Sequence, residues 1–253
     1  MADGIQSIDP VVAPIGNGAN WLLNGFDYFK KGWGAWVIIT IVLVIISIVA
    51  AVIPILGNLA FYLFWPTLMA GLMLGCSEQD KNGQLNVGHL FAGFSNNLGQ
   101  LVTLGVLYIL ATIVLIIIMV VMVFMSVGGL EVLSQMVAGN TEAFMAHAVS
   151  FLIISLVGLG LSMPILMLFW FAPALVVLDN VNAIDAMKLS FKGCLVNVLP
   201  FLIYGLVGLV LAIIAAIPIM LGWLILFPMI TASIYISYKE IYKSGGLNAG
   251  SGA

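Results

Sequence analysis

The side chains most capable of chemistry in this chain are few and lie near the ends of its apolar segments. Cys76, Glu78, His89 and Cys194 offer the thiolate, carboxylate and imidazole groups that bind zinc or copper in proteins. The interval from Cys76 to His89 fits no compact ligand pattern, so buried thiols and an ordinary interfacial histidine are the favoured interpretation. The sequence therefore predicts no metal site and no cofactor.

Catalytic motifs are missing as well. The chain contains no Gly-x-Ser-x-Gly, no phosphate-binding loop and no His-Glu-x-x-His. The apolar segments also lack the ionisable residue that ion-coupled transporters keep inside the membrane. Small hydroxyl side chains remain as candidates for a narrow polar path, although such groups more often bond to their own helix; they are Thr67, Ser126, Ser155, Ser162, Thr231 and Ser233.

The composition places most of the chain in lipid. It is 63% hydrophobic and 7% charged, whereas soluble domains carry roughly 25% charged residues. No charge occurs between Lys31 and Glu78, or between Lys192 and Lys239. Each run is long enough for two spans of about 20 residues joined by a turn, near 54–57 and near 218–222. With spans near 99–127 and 148–178, the sequence predicts an all-α, polytopic protein of six transmembrane helices.

One pattern recurs three times and predicts three repeated hairpins. Phe29, Phe94 and Phe191 each have apolar residues seven before, four after and seven after them, which is the stripe of an amphipathic helix. Each stripe precedes two spans that hold one proline on each side of their connection: Pro54 and Pro66, Pro164 and Pro173, Pro218 and Pro228. We expect an interfacial helix before each hairpin, with the first at 21–31, the second at 85–97 and the third capped by Asn182.

The domain boundaries follow from this pattern. We expect an irregular N-terminal tail over 1–20, a single transmembrane domain over 21–243, and a flexible tail over 244–253. The repeats cover about 21–77, 85–178 and 182–242, with a hydrophilic loop over 77–84.

The lysines predict the orientation. The chain has seven Lys and Arg residues in total, all of them Lys, and in a six-span arrangement they all fall on one side. Cytoplasmic loops carry the cationic excess, so both termini are expected in the cytoplasm. Lys30, Lys31, Lys188 and Lys192 then lie at the lipid headgroups, where each contributes roughly 1 kcal/mol of attraction to an anionic leaflet.

The connection between the third and fourth spans is the longest outer loop. Residues 130–138 can form a short surface helix, with Asn140 or Thr141 capping the next helix and Glu142 in its first turn. We expect Leu130, Leu133 and Met136 to form a surface for a membrane-protein partner or a second copy. Nucleic acid is excluded as a partner because the chain has no arginine and no basic patch.

Three stretches resemble a family of bacterial six-span inner-membrane proteins that is known only as a domain of unknown function. They are Gly25-Phe-Asp-Tyr-Phe-Lys-Lys31, Leu68-Met-Ala-Gly-Leu-Met-Leu-Gly-Cys76 and His89-Leu-Phe-Ala-Gly-Phe94. The likeness is strongest over 20–110 and looser over 164–242. It implies a bacterial inner membrane and says nothing about a substrate.

Two functions fit these observations. A non-catalytic accessory or assembly component of a larger membrane complex fits the lack of buried charge and of soluble domains. A transporter or channel for lipid or a small solute, without ion coupling, fits the threefold repeat, the span prolines and the lysine-bearing helices.

The predicted topology can be tested with reporter fusions. A reporter active only in the periplasm should be active at Asn140 and silent at Gly246, because an even number of spans separates the two termini. Activity at Gly246, or silence at Asn140, would contradict six spans with cytoplasmic ends.

Overall fold

The computed structural model describes residues 8–127, 129–139 and 141–248, and these residues are helical with short connections. One 3₁₀ helix, Val87–Ser95, joins the α-helices. The α-helices are α1 Asn17–Lys31, α2 Trp33–Val52, α3 Leu56–Asn82, α4 Leu98–Val127, α5 Leu130–Val137, α6 Thr141–Ala146, α7 Ala148–Phe169, α8 Ala172–Asp179, α9 Ala183–Val196, α10 Val198–Ala216 and α11 Trp223–Asn248.

Six helical segments are long and apolar enough to cross a membrane, as the sequence predicts. They are α2, α3, α4, the α7–α8 pair, α10 and α11. By contacts the chain divides into two compact units. The first comprises Met1–Val106 with Met167–Ala253, and the second comprises Leu107–Leu166.

The first unit has a core filled with bulky side chains. Trp21, Trp36, Phe171 and Tyr238 are fully buried, together with Leu22, Leu72 and Leu175. These residues come from α1, α2, α3, α8 and α11, so the short amphipathic helix α1 is part of the core rather than an appendage. Burial of such large side chains against one another is the main stabilising contribution among the helices.

The turns of the first and third hairpins share one construction. Gly57 approaches Ala50 so closely that a Cβ would lie 2.1 Å from the Ala50 carbonyl oxygen, and a Cβ on Gly222 would lie 2.4 Å from the Ala215 Cα. Two residues before each glycine the backbone turns to positive φ, 62° at Ile55 and 65° at Met220. Both predicted turns are therefore confirmed, and glycine is required where the two helices meet.

Each amphipathic segment packs against a span of a hairpin other than the one that it introduces. Helix α1 contacts α10 and α11, the 3₁₀ helix contacts α3, and α9 contacts α8. At two of these crossings, a glycine of the amphipathic segment contacts a backbone carbonyl that directly follows a span proline. A Cβ on Gly25 would lie 2.4 Å from the Met229 carbonyl oxygen, and one on Gly93 would lie 2.1 Å from that of Thr67. Superposition of the three hairpins stays a prediction.

The second amphipathic segment is a 3₁₀ helix over 87–95 rather than the expected helix over 85–97. Two glycines, Gly88 and Gly93, lower its α-helical propensity. A reciprocal cap begins it, in which the Asn86 backbone N–H donates to His89 Nδ1 at 3.1 Å. The third segment agrees with the sequence, since Asn182 accepts a hydrogen bond from the Asp185 backbone N–H at 3.0 Å.

The expected loop over 77–84 is wrong, because α3 continues to Asn82 and ends at Gly83 with φ 70°. Side chains in its last turns contact α1 and α11, and helix propensity takes no account of such tertiary contacts. Helix α1 begins at Asn17, before the expected 21, and α11 continues to Asn248.

The described residues before α1 pack against other parts of the first unit. The Val11 N–H donates to the Ile241 carbonyl at 2.8 Å, and the Ala13 N–H donates to Asn197 Oδ1 at 2.7 Å. The buried Asn197 also donates to the Val11 carbonyl at 3.0 Å. One amide side chain thus ties the start of the chain to the start of α10.

The two spans of the middle hairpin are the longest of the six in the described residues, at 29 and 32 residues against 27 or fewer for the others. A Cβ on Gly158 of α7 would lie 2.6 Å from Met119 Cε of α4. The expected short helix over 130–138 is present as α5, and Glu142 lies in the first turn of α6, while Asn140 lies outside the described residues. Pro164 and Pro173 both lie in the fourth span, so the expectation of one proline on each side of the connection is wrong for the middle hairpin. Pro164 is inside α7, and Pro173 is in the first turn of α8, after a break at Trp170.

The glycine crossings give a matched prediction. Gly25→Ala and Gly93→Ala should each lower the unfolding free energy by about 1–3 kcal/mol, because the new methyl group overlaps a carbonyl oxygen. Gly34→Ala is the control, since nothing lies within 4 Å of its Cβ position, and it should leave stability unchanged or raise it. Thermal unfolding of the detergent-solubilised variants measures the three effects. Equal behaviour of all three would show that the crossings are loosely packed.

Candidate functional site

Three carboxylates are located at the last turns of α11, two through bonds to its tyrosines and lysines and one on the helix itself. Asp80 ends α3, Asp179 ends α8 and Glu240 belongs to the last turns of α11. Each hairpin thus contributes one carboxylate from its second spanning segment. We refer to Asp80, Asp179, Glu240 and their hydrogen-bond donors as the carboxylate cluster.

Asp80 joins three helices. Its Oδ1 accepts from the Tyr28 hydroxyl of α1 at 2.8 Å, and its Oδ2 accepts from Tyr235 at 3.5 Å and from the Lys239 ammonium. Burial raises the pKa of Tyr28 well above its ordinary value, and the neighbouring Asp80 carboxylate raises it further. Tyr28 therefore stays protonated and remains a hydrogen-bond donor at any physiological pH.

Asp179 is the most buried member, with a side chain only 6% exposed. It accepts from the Tyr238 hydroxyl through Oδ2 and from the Lys243 ammonium through Oδ1, both on α11. A carboxylate so far from water is tolerated when it is paired and hydrogen-bonded. Asp179 therefore fixes the end of the second hairpin to the end of the third.

Glu240 is held by neutral donors. Its Oε2 accepts from Trp21 Nε1 at 2.6 Å, and its Oε1 accepts from the Asn17 side-chain amide. Both donors lie on α1, so Glu240 connects the first helix of the chain to the last. Among the described residues Glu240 has no cationic partner within salt-bridge distance.

A row of tyrosines on α11 supports these contacts. The rings of Tyr235 and Tyr238 are 6.4 Å apart, and those of Tyr238 and Tyr242 are 5.7 Å apart. The Tyr242 hydroxyl donates to the Leu189 carbonyl of α9 at 2.9 Å. Each ring packs in the core while its hydroxyl finds a partner, which is the usual arrangement for a buried tyrosine.

A groove of about 440 Å³ lies beside the cluster, between α1 and α11. Residues one helical turn apart on each helix form its two walls. They are Asn24, Asp27, Tyr28 and Lys31 on α1, and Ile236, Lys239, Glu240 and Lys243 on α11. The groove can hold a small polar group, with cations and carboxylates both within reach.

The predicted headgroup lysines occupy different environments. Lys30, Lys188 and Lys192 form exposed ion pairs with Asp27, Asp185 and Asp9 at 2.7, 3.0 and 2.7 Å. Lys31 instead lies over the Tyr28 ring at 5.9 Å and lines the groove. The structure therefore separates Lys31 from the other three.

Two of those ion pairs shift the acidity of their carboxyls. The hydrogen bond from Lys30, followed by its charge, lowers the pKa of Asp27. The Asn182 amide and then Lys188 lower the pKa of Asp185. Both carboxylates are exposed, so these pairs contribute little to stability.

The other predicted residues are placed as follows. Leu130, Leu133 and Met136 belong to α5, but their side chains lie outside the described residues. Across the described residues no three His, Cys, Asp or Glu side chains group as metal ligands would. Burial raises the pKa of Cys194 to about 12, which makes its thiol unreactive.

Sequence reasoning missed the carboxylate cluster. Asp80, Asp179 and Glu240 are far apart along the chain, so their positions in the sequence do not predict that they lie at the same helix end. One local signal was available: Tyr235, Tyr238 and Tyr242 lie at spacings of three and four residues, and Lys239 and Lys243 are one turn apart. A helix end that carries both tyrosine hydroxyls and lysine ammonium groups predicts carboxylate partners.

Comparison with known proteins supports a membrane protein. The chain is 26% identical over 242 residues to a probable inner membrane protein of Burkholderia thailandensis, covering 88% of each chain. No protein-family model matches it, and no solved structure matches it. Together with the six spans, the relative identifies a multi-span membrane protein similar to a bacterial inner-membrane protein. The family suggested by the short motifs is not otherwise supported.

The ion pair between the buried Asp179 and the half-exposed Lys243 should contribute measurably to stability. Asp179→Asn should lower the unfolding free energy by about 1–3 kcal/mol, because it leaves the Lys243 ammonium without its carboxylate. Asp185→Asn breaks the exposed pair with Lys188 and should change stability by about 0.5 kcal/mol or less. Chemical or thermal unfolding in detergent compares the two. An equal loss in both variants would mean that burial of Asp179 is irrelevant to the pair.

Proposed function

We propose that the protein is a non-catalytic accessory or assembly component of a larger inner-membrane complex, with both termini in the cytoplasm. The observation that carries this proposal is the filled interior of the first unit. Asp80 pairs with Lys239 and Asp179 pairs with Lys243 on the last turns of α11, while bulky apolar side chains fill the space between the spans.

Four of the six candidate hydroxyl groups support the same proposal, whereas Thr67 Oγ1 is buried without a hydrogen-bond partner among the described residues. The side chains of Thr231, Ser126 and Ser162 donate to carbonyls three or four residues earlier on their own helices. Ser233 donates to the Ile230 carbonyl and pairs with the Tyr204 hydroxyl at 2.8 Å. Groups that are satisfied in this way do not offer free donors and acceptors to a passing solute.

The length of α4, in the middle hairpin, is a reason to expect a partner protein. Helix α4 has 30 residues, about 45 Å at 1.5 Å per residue, whereas the hydrocarbon layer is about 30 Å thick. Helix α2, with 20 residues, matches that thickness. Apolar helix length beyond the hydrocarbon layer is accommodated by tilting, by membrane deformation or by association with another protein. We favour association, with α5 and its residues Leu130, Leu133 and Met136 at the contact.

A transporter or channel for lipid or a small solute is the second candidate. The groove between α1 and α11 favours it, since charged and polar side chains surround a space of about 440 Å³. Tyr28, Lys239, Glu240 and Lys243 belong both to the carboxylate cluster and to the lining of the groove. This arrangement fits binding better than passage.

Isolation from native membranes in a mild detergent tests the accessory role. The expected result is a partner present in constant stoichiometry. Replacement of 130–138 by a Gly/Ser linker of the same length should leave membrane insertion intact and weaken that association. A matched linker replacement of 244–248 should leave the association unchanged. Isolation of the chain without a partner, together with solute or lipid flux in proteoliposomes, would favour the second candidate.

A further inference from the structure

Two charged side chains in the groove between α1 and α11 form no salt bridge among the described residues, although the charge of one, Lys31, acts on the Asp27 carboxylate. Lys239 pairs with Asp80, Lys243 pairs with Asp179, and Asp27 pairs with Lys30. The remaining charged groups of the lining are the Lys31 ammonium on α1 and the Glu240 carboxylate on α11. They are of opposite sign and lie on opposite walls of the same groove.

The ligand that satisfies both charges is a zwitterion with its charges several bonds apart. A phosphate monoanion suits Lys31, with Lys239 and Asn24 nearby as further donors. A primary ammonium suits Glu240, whose oxygens otherwise accept from the neutral donors Trp21 and Asn17. Phosphoethanolamine has this pair of groups, and a groove of about 440 Å³ is large enough to admit it.

The outer face of α1 indicates that the phosphate belongs to a lipid. Leu23 and Phe26 are exposed on the face next to the groove wall, and exposed Trp33 follows in α2. Exposed apolar and aromatic side chains beside cationic ones are the pattern of a helix at the membrane interface. Acyl chains can lie along this face while the headgroup enters the groove.

We propose that the groove between α1 and α11 is a binding site for the phosphoethanolamine headgroup of a membrane phospholipid. Lys31 binds the phosphate and Glu240 binds the ammonium. The site is independent of the proposed accessory role, since it uses a different part of the molecule from α5.

Lipid competition on the purified full-length chain tests the site. The protein is delipidated in detergent, equilibrated with phosphatidylethanolamine, phosphatidylcholine or phosphatidylglycerol, and the bound lipid is counted by native mass spectrometry. We expect phosphatidylethanolamine to be preferred at least fivefold. Phosphatidylcholine cannot donate a hydrogen bond to Glu240, and phosphatidylglycerol has no cation.

Variants separate the two contacts. Lys31→Gln should weaken binding of all three lipids, whereas Glu240→Gln should remove the preference among them. Because Glu240→Gln also alters the contacts to Trp21 and Asn17, Asn24→Trp provides a second test by filling the groove from its exposed wall. Lys81→Gln, which removes an exposed lysine outside the groove lining, is the matched control and should behave as the parent chain does.

Two results would overturn the proposal. The first is unchanged binding of all three lipids in Lys31→Gln and Asn24→Trp. The second is saturation of the site by soluble phosphoethanolamine at the same concentration as the lipid, which would assign the groove to a free metabolite.

Discussion

The packing of the first unit depends on one set of interactions. Two lysines in the last turns of α11 form ion pairs with carboxylates of the other two hairpins. Lys239 holds Asp80 of α3, and Lys243 holds the buried Asp179 of α8. Between these lysines Glu240 accepts hydrogen bonds from α1. Helices in lipid gain no hydrophobic driving force from meeting one another, so polar contacts and close packing must determine their partners. The carboxylate cluster supplies the polar part of that selection.

Close packing between helix backbones accounts for the rest of the selection of helix partners. Gly25 and Gly93 allow two amphipathic segments to rest on the backbones of α11 and α3, just past Pro228 and Pro66. Since each segment packs against a hairpin other than its own, no hairpin has its full set of contacts until the others are in place. The same organisation places charge at one end and leaves the interior apolar. This distribution is what favours an accessory role over ion-coupled transport.

Local patterns predicted the architecture well. The charge-free runs, the turns at Gly57 and Gly222 and the cap at Asn182 are properties of neighbouring residues, so composition and spacing predict them. The end of α3 was predicted wrongly because Glu78-Gln-Asp-Lys81 has the composition of a loop, yet Asp80 and Gln79 are held by contacts to α1 and α11. The carboxylate cluster was missed for the same reason. Asp80, Asp179 and Glu240 come to the last turns of α11 only through tertiary structure, and their spacing along the chain does not predict this.

The central claim is that the first helix of the chain is docked on the last. It can be tested by cross-linking in native membranes. With Cys76 and Cys194 replaced by Ala and a protease site placed in 128–147, Asn17→Cys with Glu240→Cys should be joined by a short thiol-specific cross-linker. The two halves of the cleaved chain should then migrate together. Leu23→Cys with Glu240→Cys is the control, because Leu23 lies on the exposed face of α1. Efficient linkage of the first pair and separation of the control halves is the predicted result; equal linkage of both pairs, or of neither, would contradict the docking of α1 on α11.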